Sequence, residues 1–168
     1  MLLKSREERQ RSATISLVTS WSDFARAEPD LARRVQALLE TQKHMTLATL
    51  RRDGSPRISG TEAQIVEGEL TLGMMPGSLK ALDLLRDPRL ALHSPTVDPP
   101  PDDPGAWVGD AKVAGLAVEI VDEEAGDSSH RFRVDITEVA MTTVGSPADH
   151  LVIESWHPAR GLETRRRQ

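Results

Sequence analysis

The sequence contains no cysteine and no tyrosine, and aromatic side chains make up only 3% of its 168 residues. The absence of cysteine excludes disulfides, thiolate nucleophiles and cysteine-ligated zinc or iron–sulfur sites. No apolar run reaches the roughly 18 residues that a membrane-spanning helix needs. Hydrophobic residues nevertheless make up 38% of the chain, which predicts one globular domain with its own core.

The charge distribution and the N-terminus limit the possible partners and the location. The net charge is −5, yet both ends of the chain, residues 1–18 and 160–168, carry more basic than acidic side chains. An acidic body with two short basic ends does not offer the continuous basic face that nucleic acid needs. The N-terminus also lacks the apolar core and cleavage site of a secretory signal. We therefore expect a soluble cytoplasmic protein with no nucleic-acid or membrane partner.

The chain is expected to have one folded domain between two polar ends. Residues 1–18 show no clean periodicity, which predicts a disordered N-terminal extension. Apolar residues recur at helical spacing over about 29–42 and again in a shorter helix after Ser78. In the shorter helix one face carries three leucines, Leu79, Leu82 and Leu85. We place the domain over 19–160 and a basic tail over 161–168, either solvated or in contact with an anionic ligand.

From His44 onward the pattern changes to short apolar stretches separated by turn residues. Asp53-Gly54 and Glu67-Gly68 are turn dipeptides that tolerate a positive φ angle, so we predict a three-stranded antiparallel meander. Gly109 and Gly115 are expected bend or bulge points in a later long strand. About seven strands and two helices predict a mainly β fold, a closed or nearly closed antiparallel barrel with flanking helices.

Residues 73–80, GMMPGSLK, place a glycine turn, a hydroxyl and a lysine at the start of a predicted helix. Gly77 lets the backbone approach a ligand, Ser78 can cap the helix or donate a hydrogen bond, and Lys80 adds a positive charge. The first amides of a helix have no acceptor within it, so phosphate would be stabilised there. The spacing does not match a Walker A loop. A capped helix with a solvated Lys80 is the alternative interpretation.

The strand before this segment has a polar face. Arg57, Ser59 and Thr61 alternate, so their side chains project from the same side of the strand. A polar face on a central strand costs free energy unless it binds something. This alternation favours a ligand site over a simple helix cap.

Other patterns do not indicate a metal site or a hydrolase. The five histidines show neither i, i+4 pairs nor HExxH spacing, and no GxSxG elbow is present. We therefore expect no bound metal. The proline-rich segment 95–106 is predicted to be a surface loop, either a lid over a pocket or a passive connector.

The stretch LATLRRDGSPRISGTEAQIVEGELTLGMMPGSLKALDLLRDPRLALHS resembles the core of the pyridoxamine 5′-phosphate oxidase-like proteins. These are FMN-binding split barrels that include F420-dependent reductases. The resemblance covers residues 44–94 strongly and 107–157 more loosely. It implies an antiparallel split β-barrel and a homodimer that binds FMN or F420 at the subunit interface. It further implies an oxidoreductase acting on a small organic substrate.

The same resemblance implies which residues contact the cofactor. On the second strand of the meander these are Arg57, Ser59, Gly60 and Thr61, of which Arg57 would place positive charge near the ring. The phosphate-contacting turn and its basic residue correspond to Met74, Met75, Ser78 and Lys80. Both methionines could instead be ordinary core residues. Trp156 and Arg160 resemble the C-terminal residues that approach the ring from the partner chain.

The sequence also departs from the enzyme that gives the family its name. Its last residues, WHPARGLETRRRQ, contain no Arg-x-His substrate motif, so oxidation of pyridoxamine phosphate is not expected. The lack of tyrosine and the scarcity of pocket acids favour simple hydride transfer, for which no catalytic residue is assigned. A non-catalytic protein that stores, carries or senses a flavin, F420 or haem is the alternative. Turnover separates these two functions, because the fold does not.

Overall fold

The computed structural model describes residues 18–121 and 129–168, so nearly all of the expected N-terminal extension lies outside the described residues. The longest described helix has 11 residues, and none in this part of the chain has the length and apolar character of a membrane span. The described helices and strands are, in chain order, α1 (Trp21–Ala27), α2 (Pro29–Leu39), β1 (His44–Leu50), β2 (Pro56–Val66), β3 (Glu69–Met74), α3 (Leu79–Arg86), β4 (Arg89–His93), β5 (Asp110–Glu119), β6 (His130–Val144), β7 (Leu151–His157) and β8 (Gly161–Arg167).

The strands form one antiparallel sheet that closes on itself. They are ordered β3-β2-β1-β4-β5-β6-β7-β8, and an additional pairing between β3 and β6 closes the first six strands into a barrel. The start of β6 pairs with β3, whereas its end pairs with β7, so the sheet divides at this long strand. The predicted antiparallel barrel with flanking helices is confirmed.

The turns and the bulge lie where the sequence predicts them. Glu67 and Gly68 have φ angles of 52° and 80°, as a two-residue hairpin between β2 and β3 requires. The β5–β6 register shifts between Ala114 and Gly115, which confirms the expected bulge. A Cβ atom on Gly115 would lie 2.6 Å from the backbone oxygen of Asp135, so only glycine fits there.

The core fills the barrel and continues beneath the first two helices. Side chains from the barrel strands, such as Leu47, Val113 and Phe132, are at most 1% exposed. Phe24 of α1 packs against Trp156 of β7 with 4.9 Å between ring centroids. The helices α1 and α2 therefore pack against barrel strands, β3 and β5, and also contact β7.

Residues 161–168 differ from the expectation of a basic tail, because Gly161–Arg167 form β8. This strand pairs with β7 along its whole length, from His157 opposite Gly161 to Leu151 opposite Arg167. The pairing needs only backbone groups, while the arginines of this edge strand keep their charges in water. The folded domain thus extends seven residues beyond the predicted boundary.

The leucines of α3 share a face, as predicted, and the described chain leaves that face about half exposed. Leu79, Leu82 and Leu85 are 60%, 46% and 47% exposed. The buried side of α3 instead carries Asp83, together with small and apolar neighbours. An apolar helix face and a buried carboxylate both need partners. The carboxylate of Asp83 has its hydrogen-bond partners within the chain.

Candidate functional site

A cavity of about 550 Å³ lies where β2, β3 and the start of α3 meet. The β2–β3 hairpin brings the end of β3 beside the middle of β2, and the turn after β3 leads directly into α3. Six of the ten residues predicted to contact a cofactor line this cavity, namely Gly60, Thr61, Met74, Met75, Ser78 and Lys80.

The turn that leads into α3 sets the position of its first residues. Gly77 has a φ angle of 65°, and the amide of Ser78 donates to the backbone oxygen of Met75 over 3.2 Å. The Lys80 Nζ donates to the backbone oxygen of Gly60, which ties the first turn of α3 to β2. A hydroxyl and an ammonium group are thus held at the same end of the cavity.

Two hydroxyl groups of the cavity have no hydrogen-bond partner although they are buried. These are the Oγ1 of Thr61, a residue that is 2% exposed, and the Oγ of Ser78. Ser78 lies at the N-cap position of α3, yet its side chain makes no capping hydrogen bond. A buried polar atom without a partner costs free energy. A ligand with acceptor oxygens at the start of α3 would supply the partner that Ser78 lacks, whereas Thr61 projects from the opposite face of β2 to the exposed Gly60.

The charged groups around the cavity are unevenly distributed. Among its described lining residues, Lys80 is the only lysine or arginine and Glu62 the only carboxylate. The Oε1 of Glu62 lies 3.1 Å from the Nζ of Lys43 and 3.4 Å from the Nε2 of His44. Since Glu62 already has these basic neighbours, Lys80 supplies the positive charge at the α3 end of the cavity.

Arg57 and Ser59 do not line the cavity, although they lie on the same strand as Thr61. The Nε of Arg57 donates to the Oδ2 of Asp83 on α3 over 2.6 Å, and the Thr49 hydroxyl donates to the same oxygen over 2.9 Å. Asp83 is 3% exposed. We therefore reassign Arg57 from direct cofactor contact to the attachment of α3 to β2.

The carboxyl group of Asp83 is held in its ionised form. Burial alone would raise its pKa, but hydrogen bonds from Arg57, Thr49 and Arg86 outweigh that effect and keep the pKa below its usual value. Arg86 also donates to the backbone oxygen of Leu50. This network, which we call the Asp83 network, fixes α3 against the ends of β1 and β2. Sequence reasoning missed Asp83, although a carboxylate on the apolar side of a helix indicates a basic partner.

The two C-terminal residues expected to approach the ring from a partner chain do not line the cavity of their own chain. Trp156 is 5% exposed and belongs to the core beside Phe24, so its ring is not available to a partner chain. Arg160 lies in the turn between β7 and β8, with its Nε 3.7 Å from Glu163. The structure does not bring either residue to the cavity.

A second cavity, of about 410 Å³, adjoins the first on the outer face of the barrel. Thr46 of the second cavity is paired with Gly60 of the first, so the two meet along β1 and β2. The lining of the second cavity is mainly apolar, and Thr96 brings the proline-rich loop to its edge. Ile58, which also lines it, is 75% exposed. Within residues 18–121 and 129–168, no group of three or more potential ligands could hold a metal ion.

Comparisons with known proteins identify the architecture. No family model and no curated protein matches the chain. Among solved structures, PhzG from Burkholderia lata 383, in complex with tetrahydrophenazine-1-carboxylic acid, is 12% identical, with 99% of this chain and 98% of that chain covered and a TM-score of 0.59. A haem-binding protein from Mycobacterium smegmatis is 15% identical, with 83% and 88% covered and a TM-score of 0.53.

Two further structures match a smaller part of the chain. A candidate pyridoxamine 5′-phosphate oxidase from Listeria innocua is 15% identical, with 65% of this chain and 95% of that chain covered and a TM-score of 0.52. The chain spans 56% of the length of an Agrobacterium tumefaciens protein of unknown function, at 18% identity and a TM-score of 0.52. The closed barrel and these matches together show that the chain has the split β-barrel fold of the pyridoxamine 5′-phosphate oxidase-like proteins.

Proposed function

We propose that the first cavity binds the phosphate-bearing cofactor FMN or F420 and that the protein is an oxidoreductase. Its reaction would be hydride transfer between that cofactor and a small organic substrate. The observation that carries this proposal is the buried, unpartnered hydroxyl of Ser78 beside Lys80 at the start of α3. Donors of this kind at the start of a helix match the acceptor oxygens and the charge of a phosphate group.

The residues of the cavity fit such a cofactor in size and in chemistry. Its volume of about 550 Å³ lies within the range of small-molecule sites, roughly 300–1,000 Å³. Glu62, the one carboxylate among the described lining residues, is paired with Lys43 and His44 on the side of β1. A phosphate near Ser78 would therefore face a hydroxyl and an ammonium group.

In this proposal the first cavity binds the cofactor and the second cavity binds the substrate. A bound FMN or F420 supplies the hydride chemistry, while the protein binds, orients and shields the reactants. The second cavity offers apolar contacts from Ala48, Ile58 and Ala91 to a small conjugated substrate. Because that cavity adjoins the first at the Thr46–Gly60 pair, a substrate in it would lie beside the cofactor.

A first test titrates the cofactor-free protein with FMN, F420 and hemin. We expect FMN or F420 to bind and the Lys80→Met variant to bind it about tenfold to a hundredfold more weakly, because a charge-assisted hydrogen bond is lost. Fluorescence or calorimetric titration measures this. Arg89→Gln is the matched control, since Arg89 is an exposed cation paired with Asp87 at the other end of α3. Equal affinities of Lys80→Met and the wild type would remove Lys80 from the site.

Binding of hemin alone would favour the second candidate function, a non-catalytic haem-binding protein. The observation that favours it is the placement of two imidazoles, because His44 lines the first cavity and His93 lines the second. The structural match to the haem-binding protein from Mycobacterium smegmatis supports the same alternative. Turnover with a panel of conjugated substrates then separates an enzyme from a carrier or sensor.

We also propose that the protein acts as a homodimer whose subunits meet across the second cavity. Ile58 on β2 is 75% exposed, and the apolar face of α3 is about half exposed. Exposed apolar surface of this kind marks sites of association. A second copy over Ile58 would enclose the substrate.

Sedimentation velocity tests the homodimer. The wild type is expected to sediment as a dimer, and Ile58→Glu as a folded monomer, because a buried unpaired carboxylate at an interface is costly. Val66→Glu is the matched control, since Val66 lies on the same strand and is 40% exposed. A monomeric wild type at micromolar concentration contradicts the proposal.

A further inference from the structure

Two glycines of the first cavity have no structural reason to be glycine. Gly60 on β2 and Gly73 on β3 both line it, and neither has a positive φ angle. A Cβ atom built on either would have no atom of the described chain within 4 Å. Glycine inside a strand weakens it and often marks a place where a ligand or another backbone comes close. The missing side chains leave room for something outside the chain.

The register places the two glycines side by side on one face of the sheet. Gly73 is paired with Glu62, and Gly60 lies two residues before Glu62 on the same strand. Diagonal neighbours of this kind are about 7–8 Å apart. The peptide planes around both glycines therefore form a bare, flat patch about as wide as two or three fused rings. Glu62, the side chain next to both, is paired with Lys43 and His44.

We propose that Gly60 and Gly73 form a platform on which the planar ring system of the cofactor lies. The phosphate of the same molecule would then reach Ser78 and Lys80 at the α3 end of the cavity, whereas the Thr61 side chain projects from the opposite face of β2. The platform selects planar rings, because only a flat ligand contacts both exposed peptide planes at once. The identification of the ring as a flavin or deazaflavin rests on the proposed function, whereas the platform itself rests on the two glycines.

A small molecule fits this place better than the backbone of a second copy does. The glycines form part of the wall of a cavity of about 550 Å³, rather than part of an open surface. At the α3 end of the same cavity the buried Ser78 hydroxyl lacks a partner and calls for a polar atom of a ligand. An occupant with a flat ring and a phosphate satisfies the bare patch and this hydroxyl together.

The test replaces the two platform glycines and measures protein stability and ligand binding separately. Gly60→Ala, Gly73→Ala and Gly73→Val are titrated with FMN, F420, hemin and lumichrome, a flavin ring without a phosphate. We expect the cofactor-free variants to melt at or above the wild-type temperature, since strand glycines are replaced by better strand formers. Ring affinity should fall by about tenfold to a hundredfold because the added methyl groups stand where the ring lies. Affinity for inorganic phosphate should not change.

Thr71→Val is the matched control, because Thr71 lies two residues from Gly73 on β3 and outside the cavity. If Gly73→Val binds FMN or F420 as tightly as the wild type, the platform is wrong and the proposed cofactor stands. If only hemin or lumichrome binds and Gly73→Val loses it, the platform stands and the proposed cofactor is wrong. If the wild type binds none of these ring compounds, both the platform and the proposed cofactor are overturned. A loss of affinity that appears only together with a change in sedimentation assigns the glycines to a subunit contact and overturns the platform.

Discussion

Replacement of Asp83 by asparagine is expected to lower the free energy of unfolding by about 3–5 kcal/mol at neutral pH. The carboxylate of Asp83 accepts hydrogen bonds from Arg57, Thr49 and Arg86, and its side chain is only 5% exposed. The Arg57 side chain is 19% exposed, so removal of its partner leaves a largely buried positive charge unpaired. An asparagine amide turned toward these donors cannot replace the carboxylate, because it offers one acceptor oxygen instead of two.

The contribution of Asp83 depends on pH with a definite sign. Since the pKa of this carboxyl is lowered in the folded protein, the ionised group stabilises the fold at pH values above the unfolded pKa of about 3.9. That stabilisation is lost as the pH falls through the lower, folded pKa. The difference in stability between the wild type and Asp83→Asn should therefore be full at pH 7 and shrink below about pH 4.

Urea unfolding followed by circular dichroism at several pH values measures this difference. Asp87→Asn is the control, because Asp87 pairs with the exposed Arg89 and ion pairs of that kind contribute about 0–1 kcal/mol. The same variants should be titrated with FMN or F420, since the Asp83 network holds α3, whose first turn lines the cavity, against β1 and β2. A loss of less than about 1 kcal/mol in Asp83→Asn, as in the control, would show that the network does not hold α3.

The strands and turns of this fold could be predicted because local sequence encodes them. The apolar stretch of β1 and the turn dipeptide Glu67-Gly68 each fix a conformation without help from distant residues. β8 could not be found in this way, because Gly161–Arg167 carry no apolar periodicity and owe their structure to backbone pairing with β7. The short helix α1 was missed for a similar reason, since its stability comes from burial of Trp21 and Phe24.

The sequence could place candidate residues together where they follow one another in the chain, but not where they meet across the fold. Ser78 and Lys80 belong to one turn, and the structure places both in the first cavity. Arg57 has its partner Asp83 on another element, 26 positions away, so its side chain is engaged in a way that alternation along a strand cannot reveal. Trp156 resembled a ring-contacting residue by its place in the sequence, but the packing of Phe24 puts it in the core.

The double variant Thr61→Val/Ser78→Ala is expected to change stability and affinity in opposite directions. Without a cofactor, each substitution removes a buried hydroxyl that has no partner, which should raise the free energy of unfolding by about 1–3 kcal/mol per site. With FMN or F420, Ser78→Ala also removes a hydrogen bond to a charged phosphate. That bond is worth about 1.5–3 kcal/mol, so the affinity should fall by about tenfold to a hundredfold.

The chain offers a matched control for each hydroxyl, because two similar residues do have partners. Ser20 accepts a hydrogen bond from the amide of Asp23 at the start of α1, and Thr49 donates to Asp83. Ser20→Ala should therefore destabilise the protein by about 0.5–2 kcal/mol without a change at the cavity, whereas Thr49→Val should destabilise it through the Asp83 network. Thermal unfolding with and without saturating cofactor measures both effects. The double variant should be the more stable protein without cofactor, and it should gain less stability from saturating cofactor than the wild type does, because a ligand stabilises only what it binds. If it is destabilised in both conditions, the two hydroxyls are structural and the phosphate lies elsewhere.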